Sequence, residues 1–136
     1  MNILVIDGQG GKMGRRIVEE LCARYESAEI TAVGTNSTAT ENMLKGGAVH
    51  AATGENPVRV AARRADIIIG PIGIVIADSL YGEVTPAMAR AVAQSRARRI
   101  LLPVNKCDNL IAGVRDCSVN ELVLDAMRMI DEMAVS

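Results

Sequence analysis

The 136-residue sequence predicts one α/β domain with three layers and a Rossmann-like, mostly parallel sheet. Short apolar runs alternate with segments of helical periodicity, which is typical of strands buried on both faces by helices. A glycine-rich segment follows the first apolar run, at a predicted strand-to-helix junction. The length corresponds to about one domain, and no linker-like stretch divides residues 1–136.

The first half of the chain predicts three strands and three helices in alternation. The strands are short apolar runs, expected at 2–6, 29–33 and 49–53. The first helix is expected from Met13 to about Tyr25, because its apolar residues recur at helical spacing. Ser37 or Thr38 should cap a second helix, with Glu41 completing a capping box. Asn56 followed by proline predicts a third helix at 57–64.

The second half continues the alternation. Strands are expected at 66–70 and 99–104, with a further one at 110–114. Thr85-Pro86 should begin a helix that ends near residue 95. Ser118 and Glu121 form a capping-box pattern before a final helix. Its predicted buried stripe is Leu122, Ala126, Met129, Ile130 and Met133.

Composition excludes several classes of function. The 15 basic and 16 acidic side chains leave a net charge near zero, which argues against general nucleic-acid binding. Tyr25 and Tyr81 are the only aromatic residues, so a base-stacking surface is not expected. No apolar stretch approaches 20 residues, so no membrane span is expected. Three cysteines without metal-ligand spacing predict no disulfide framework, no metal site and a cytoplasmic location.

The glycine-rich segment predicts a phosphate-binding loop. Glycines between a strand and a helix let a phosphate approach the backbone, where free N–H groups begin the helix. We therefore expect a nucleotide, with NAD(P) as the favoured cofactor. The residues expected to bind it here are Gly8, Gln9, Gly10, Gly11, Lys12, Met13 and Gly14. The alternative is a structural turn that binds nothing.

Two departures from an NAD fingerprint concern charge. The end of the second strand lacks the acidic residue that holds the ribose, but Thr35, Asn36 and Ser37 can hydrogen-bond a ribose or a 2′-phosphate. These residues predict a modest preference for NADP over NAD. Asp7 lies next to the loop, where it either repels phosphate or accepts hydrogen bonds from loop amides. The second role is favoured.

Other loops should end near the same edge of the sheet. Gly70 and Gly73 either admit a ligand or form tight packing turns. The catalytic residues are not identified by any motif; the candidates are Lys106, Asp78, Glu83 and Cys107. His50, the only histidine, has no partner pattern and is expected at the surface or a strand edge.

Two resemblances accompany these patterns. The loop GQGGKMGR is similar to the G-x-x-G-R-M-G-R loop of dihydrodipicolinate reductases, which binds NAD(P)H, although only the first 20 or so residues match. Over about 100 residues, six ordered blocks resemble a family of short bacterial Rossmann-like proteins of unknown function. The blocks are VIDGQGG, AVGTNS, ATGEN, DIIIGPIGIVIADS, GEVTPAM and LPVNKC. The second resemblance implies a single-domain α/β protein and no particular substrate.

Three functions remain open at this point. The first is a nucleotide-binding protein, with NAD(P)-dependent hydride transfer as the reaction if it is an enzyme. The second is a non-catalytic nucleotide sensor. The third is an oligomeric interaction module with a purely structural glycine loop. A homodimer is expected, because the apolar run 71–77 is predicted to lie at the mouth of the site, where a second subunit would cover it.

Overall fold

Five parallel strands form one sheet in the computed structural model, which describes residues 1–104 and 108–135. The strands are β1 (Asn2–Asp7), β2 (Glu29–Gly34), β3 (His50–Thr53), β4 (Ile67–Pro71) and β5 (Arg98–Leu102). Their order across the sheet is β3-β2-β1-β4-β5. This is the Rossmann order, and it reverses direction between β1 and β4. The predicted α/β class and Rossmann-like sheet are confirmed.

Five α-helices cover the two faces of the sheet. They are α1 (Lys12–Arg24), α2 (Ser37–Lys45), α3 (Glu55–Arg64), α4 (Pro86–Ala93) and α5 (Val119–Val135), with a 3₁₀ turn at Ile72–Val75. Buried side chains of α1, α2 and α5 share one apolar core, and those of α3, α4 and the 3₁₀ turn share the other. The chain therefore has three layers.

The central strand β1 shows why the sheet must be covered on both sides. Ile3 and Val5 enter the core beneath α1, whereas Leu4 and Ile6 enter the core beneath α3 and α4. All four side chains are at most 2% exposed. Successive residues of a strand point to opposite faces, so an unbroken apolar run fits only a strand that is buried twice.

Two predicted helix starts need correction. Asn36, rather than Ser37 or Thr38, caps α2: its Oδ1 accepts a 2.8 Å hydrogen bond from Ala39 N–H. Helix α3 begins at Glu55, earlier than the Asn56-Pro57 pair predicts, and is preceded by Gly54. By contrast, Thr85 caps α4 as expected, with its hydroxyl accepting from Met88 N–H at 3.1 Å.

The C-terminal part also differs from the prediction. Residues 110–114 form no strand, because Gly113 adopts a φ of 84° within a turn and Leu110 is 97% exposed. Ser118 caps α5 through Glu121 N–H, as predicted. The buried stripe of α5 is shifted, however, and Met129 is exposed. The buried residues are Val123, Ala126, Met127 and Ile130.

Candidate functional site

The candidate site lies at the carboxyl edge of the sheet, beside the point where strand order reverses. The glycine loop (residues 8–14) connects β1 to α1 at this edge. A second segment, residues 76–84, follows β4 and the 3₁₀ turn. It contacts the glycine loop through Leu80 and Glu83. We call this segment the covering loop. Ligands of open α/β sheets bind at such reversal points.

Two of the loop glycines are required by close packing. Gly11 has a φ of 72°, and a Cβ there would lie 2.6 Å from the backbone of Ala39 in α2. A Cβ on Gly14 would lie 2.7 Å from both Asp7 Cβ and Met43 Sδ. Real Cβ atoms do not approach other atoms so closely. These glycines therefore let α1 pack against β1 and α2, whether or not a ligand binds.

Gly8 and Gly10 differ in their surroundings. A Cβ on Gly8 would lie 2.9 Å from both Leu80 and Glu83 of the covering loop. Gly10 has no heavy atom within 4 Å of its Cβ position and does not adopt a positive φ. Gly10 is therefore the loop glycine whose side-chain direction is open to solvent or a ligand.

Asp7 fixes the inner side of the glycine loop. Its carboxylate is 6% exposed and accepts hydrogen bonds from Gly8 N–H at 2.8 Å and Gly14 N–H at 2.7 Å. Burial raises the pKa of Asp7 to about 6, although both backbone hydrogen bonds act to lower it. The turn-fixing role predicted for Asp7 is confirmed.

Glu83 occupies the space above the end of β2. Its Oε1 accepts hydrogen bonds from Gln9 N–H at 2.9 Å, Thr35 Oγ1 at 2.6 Å and Asn36 Nδ2 at 2.8 Å. Partial burial raises the pKa of Glu83, but these hydrogen bonds outweigh that effect and leave the pKa below its ordinary value. A carboxylate thus reaches the end of β2 from a distant part of the sequence.

The covering loop has an unusual backbone. Asp78, Leu80 and Tyr81 all have φ between 55° and 65°, the left-handed region that non-glycine residues rarely adopt. Leu80 is buried over Gly8, whereas Tyr81 is 97% exposed at the tip. Ser79 Oγ donates to Gly73 O and anchors the loop to the 3₁₀ turn. Backbone of this kind persists only where its surroundings hold it in place.

The outer side of the glycine loop carries unused donors. No group in the described part of the chain accepts a hydrogen bond from the backbone N–H of Gly10, Lys12 or Met13. The last two begin α1, where the helix dipole favours negative charge. Asn42 Nδ2 donates to Gly10 O at 2.9 Å, and Arg15 donates to Asn42 Oδ1 at 3.1 Å. These bonds hold the loop from the side of α2.

The remaining predicted site residues are not all near one another. Asp78 and Ser37 are exposed, and neither makes a described contact with the glycine loop. The Cβ positions of Gly70 and Gly73 are blocked by Ile6 O and by Ser79 respectively. Gly73 therefore forms a tight packing turn, the alternative considered for it, whereas Gly70 lies within β4 and packs against β1. Contact of either glycine with a ligand stays a prediction.

Some predictions fall elsewhere. Lys106 and Cys107 lie outside the described residues. His50 is exposed on the edge strand β3, where its Nε2 lies 3.1 Å from Glu29 Oε1. Among the described residues, no three His, Cys, Asp or Glu side chains lie close enough to share a metal ion. No described helix is long and apolar enough to cross a membrane.

Fold and loop together define a Rossmann-like α/β protein with a glycine-rich turn at the point where strand order reverses. The chain belongs to the family described as Domain of unknown function (DUF3842), whose model matches residues 2–135. The resemblance to a family of unknown function is thereby confirmed. No curated protein matches the chain, and a link to dihydrodipicolinate reductases is not shown.

A comparison with a solved structure supports the fold. It is that of a dodecameric FMN-dependent UbiX-like decarboxylase from Escherichia coli O157:H7, which is 16% identical to this chain with a TM-score of 0.50. The similarity covers 98% of this chain and 76% of that one. At this level of identity the comparison establishes a shared Rossmann-like architecture.

Proposed function

We propose that this protein binds a phosphate-bearing nucleotide cofactor on the outer side of the glycine loop. The observation that carries the proposal is the set of backbone N–H groups of Gly10, Lys12 and Met13, from which no described residue accepts a hydrogen bond. One of them belongs to Gly10, the loop glycine whose side-chain direction is open, and the other two begin α1. Backbone donors at a helix N-terminus hold phosphate well, and the exposed Lys12 side chain adds positive charge nearby.

The geometry favours a mononucleotide over a dinucleotide. In a dinucleotide-binding domain the adenosine ribose lies over the end of the second strand. In this chain the Glu83 carboxylate lies there, hydrogen-bonded to Thr35 and Asn36. A dinucleotide whose ribose lies at the end of β2 must break the hydrogen bonds of Glu83 to Thr35 and Asn36. A ligand that places a single phosphate at the start of α1 need not break them. FMN, on which the structurally similar decarboxylase depends, is therefore the first ligand to test.

NAD is the second candidate, and if a dinucleotide does displace these bonds, Glu83 favours NAD over NADP. The sequence places no acidic residue at the end of β2, yet Glu83 supplies a carboxylate there that can accept bonds from ribose hydroxyls. The same charge repels a 2′-phosphate. The expected preference for NADP, based on the hydroxyls near Thr35, is therefore replaced by a preference for NAD.

The experiment compares ligands on matched variants at Gly10. Isothermal titration with FMN, NAD, NADP and ATP should show binding to the wild type and loss of binding in Gly10→Asp. Gly10→Asn adds a side chain of the same shape without the charge, so it should bind at least tenfold more tightly than Gly10→Asp. Equal binding by both variants, or no binding of any nucleotide to the wild type, contradicts the proposal.

The other functions stay as predictions. Hydride transfer has no assembled acid–base pair among the described residues, since Glu83 is engaged in three hydrogen bonds. A structural glycine loop is favoured by the packing of Gly8, Gly11 and Gly14, and it predicts no nucleotide binding at all. The homodimer needs another basis, because Ile74 of the apolar run 71–77 is buried within its own chain.

A further inference from the structure

A cleft between α3 and α4 lies on the face of the sheet opposite α1. Its volume is about 780 Å³, within the range of small-molecule sites. Arg59 and Arg63 line it from α3, and Arg90 and Arg96 line it from α4 and the residues just beyond that helix. The lining includes no acidic residue. None of its residues belongs to the glycine loop.

The charge of this cleft is not compensated. Within the described ranges, none of its four arginines forms an ion pair, and the one described side-chain contact is a 3.4 Å bond from Arg90 to the neutral Gln94. By contrast, Arg16, Arg24 and Arg128 on α1 and α5 each pair with a glutamate four residues away. The chain as a whole carries a net charge of −1, so this local excess is not a consequence of a basic composition.

A structural explanation accounts for only part of the cluster. Arginines in the last turn of a helix interact favourably with the helix dipole, which applies to Arg63 and Arg90. Arg59 lies in the middle of α3, and Arg96 lies beyond the end of α4, so the dipole does not explain them. Four like charges around one cleft repel one another, and a bound anion removes that repulsion.

The floor of the cleft indicates what kind of ligand fits. Ala62, Ala87 and Ala91 leave the space between the arginines unfilled. Ser95 Oγ donates to Ala62 O at 2.6 Å and accepts from Ala97 N–H at 3.1 Å, so this hydroxyl is already engaged. The polar groups left to meet a ligand are mainly guanidinium groups, which donate and never accept hydrogen bonds. The ligand must therefore be rich in acceptors and negatively charged.

Size and composition argue against a nucleic acid. Helix α4 has eight residues and is therefore about 12 Å long, which matches a few linked phosphates and not a duplex site. No aromatic residue lines the cleft, so single-stranded bases have no stacking surface. Arginine binds phosphate oxygens in paired, directional hydrogen bonds. We infer that the α3–α4 cleft is a second binding site, specific for a small molecule that carries two or more phosphate groups.

The probe for this site is inorganic tripolyphosphate, titrated by calorimetry into the folded full-length chain at low and physiological salt. Binding should weaken at least tenfold in Arg63→Gln and in Arg90→Gln, because each substitution removes charge-assisted hydrogen bonds. The matched controls are Arg24→Gln and Arg128→Gln, which remove exposed arginines from α1 and α5. These two variants should bind tripolyphosphate within about twofold of the wild type.

Four outcomes overturn the inference, and the first three concern the anion and the cleft variants. These three are no binding of tripolyphosphate at millimolar concentration, equal losses in the cleft and control variants, and tighter binding of a duplex DNA of the same total charge. Gly10→Asp separates this site from the glycine loop. Tripolyphosphate binding that Gly10→Asp abolishes and Arg63→Gln leaves intact assigns the anion to the loop and refutes the cleft. All of the cleft arginines are exposed, so loss of folding is not expected.

Discussion

Gly14 donates its backbone N–H to Asp7 Oδ2 at 2.7 Å, and the same glycine leaves no space for a side chain beside that carboxylate. The first strand and the first helix are thus joined through a buried acidic group. An internal anion already serves the inner amides of the helix N-terminus. For that reason any phosphate must bind on the outer side of the loop, near Lys12 and Met13.

The pKa of Asp7 predicts how stability changes with pH. The pKa of Asp7 is about 6 in the folded chain, compared with an ordinary value of 3.8. At a pH between these two values, the Asp7 carboxyl is protonated in the folded chain and ionised in the unfolded chain. Asp7 therefore lowers the free energy of unfolding as pH rises from about 4 to 6, by about 3 kcal/mol at most. The change in the free energy of unfolding from pH 4.0 to 7.0, measured with urea, should be more positive in Asp7→Asn than in the wild type by about this amount. Identical pH dependence in the two proteins contradicts the assignment.

The glycines of the loop should differ sharply in their tolerance of alanine. Gly14→Ala should reduce the free energy of unfolding by about 1–3 kcal/mol, because its methyl group overlaps Asp7 and Met43. Gly11→Ala adds a strained positive φ to a clash with α2 and should cost more. Gly10→Ala meets nothing and should change stability by less than about 1 kcal/mol. Urea unfolding of the three variants measures the differences, and equal losses contradict the packing.

The packing of Gly11 also decides which variant can report on binding. Judged by sequence alone, Gly11→Asp is the natural way to place a negative charge in a phosphate site. In the structure that side chain meets the backbone of Ala39, so the variant reports on folding. The open position is Gly10, which the glycine spacing does not distinguish from its neighbours.

Elements set by nearby residues were predictable from the sequence. Thr85 caps α4 through Met88, three residues away, and the apolar run of β1 shows that the strand is buried on both faces. The capping residue of α2 was not predictable in this way, because Asn36, Ser37 and Thr38 are all suitable capping residues. Asn36 is selected by long-range bonds to Gln9 O and to Glu83.

The candidate site was predictable only in part, for the same reason. The position of the glycine loop follows from local spacing, and the role of Asp7 depends on residues within the loop itself. Glu83 is 48 residues from Thr35 and 74 from Gln9, and no local pattern pairs them. The arginine cleft likewise joins residues of two helices, and a near-zero net charge conceals it.

Tyr25 should titrate far above its ordinary range. Burial and the hydrogen bond that its hydroxyl donates to Asp131 raise the pKa of Tyr25 to about 12. The chain has two tyrosines and no tryptophan, so absorbance at the tyrosinate band resolves their ionisation. The component near pH 12 should vanish in Tyr25→Phe and move to lower pH in Asp131→Asn. A titration unchanged by Asp131→Asn contradicts the contact between α1 and α5.

Glu83→Gln should strengthen nucleotide binding, and the gain should be larger for NADP than for NAD. All three hydrogen bonds to Glu83 end on one oxygen, so a glutamine can keep them while losing the charge. Removing a negative charge at roughly 8 Å from a phosphate is worth about 0.5–2 kcal/mol, or about twofold to thirtyfold in affinity. The 2′-phosphate of NADP is the group expected nearest the end of β2, which is why NADP should gain more affinity than NAD.

Competition calorimetry on the wild type and Glu83→Gln measures the ratio of the NADP and NAD affinities. FMN is the control ligand, because its phosphate need not approach Glu83. If the ratio of NADP affinity to NAD affinity is unchanged, no dinucleotide ribose binds at the end of β2. FMN binding at the N-terminus of α1 is then the remaining test of the glycine loop.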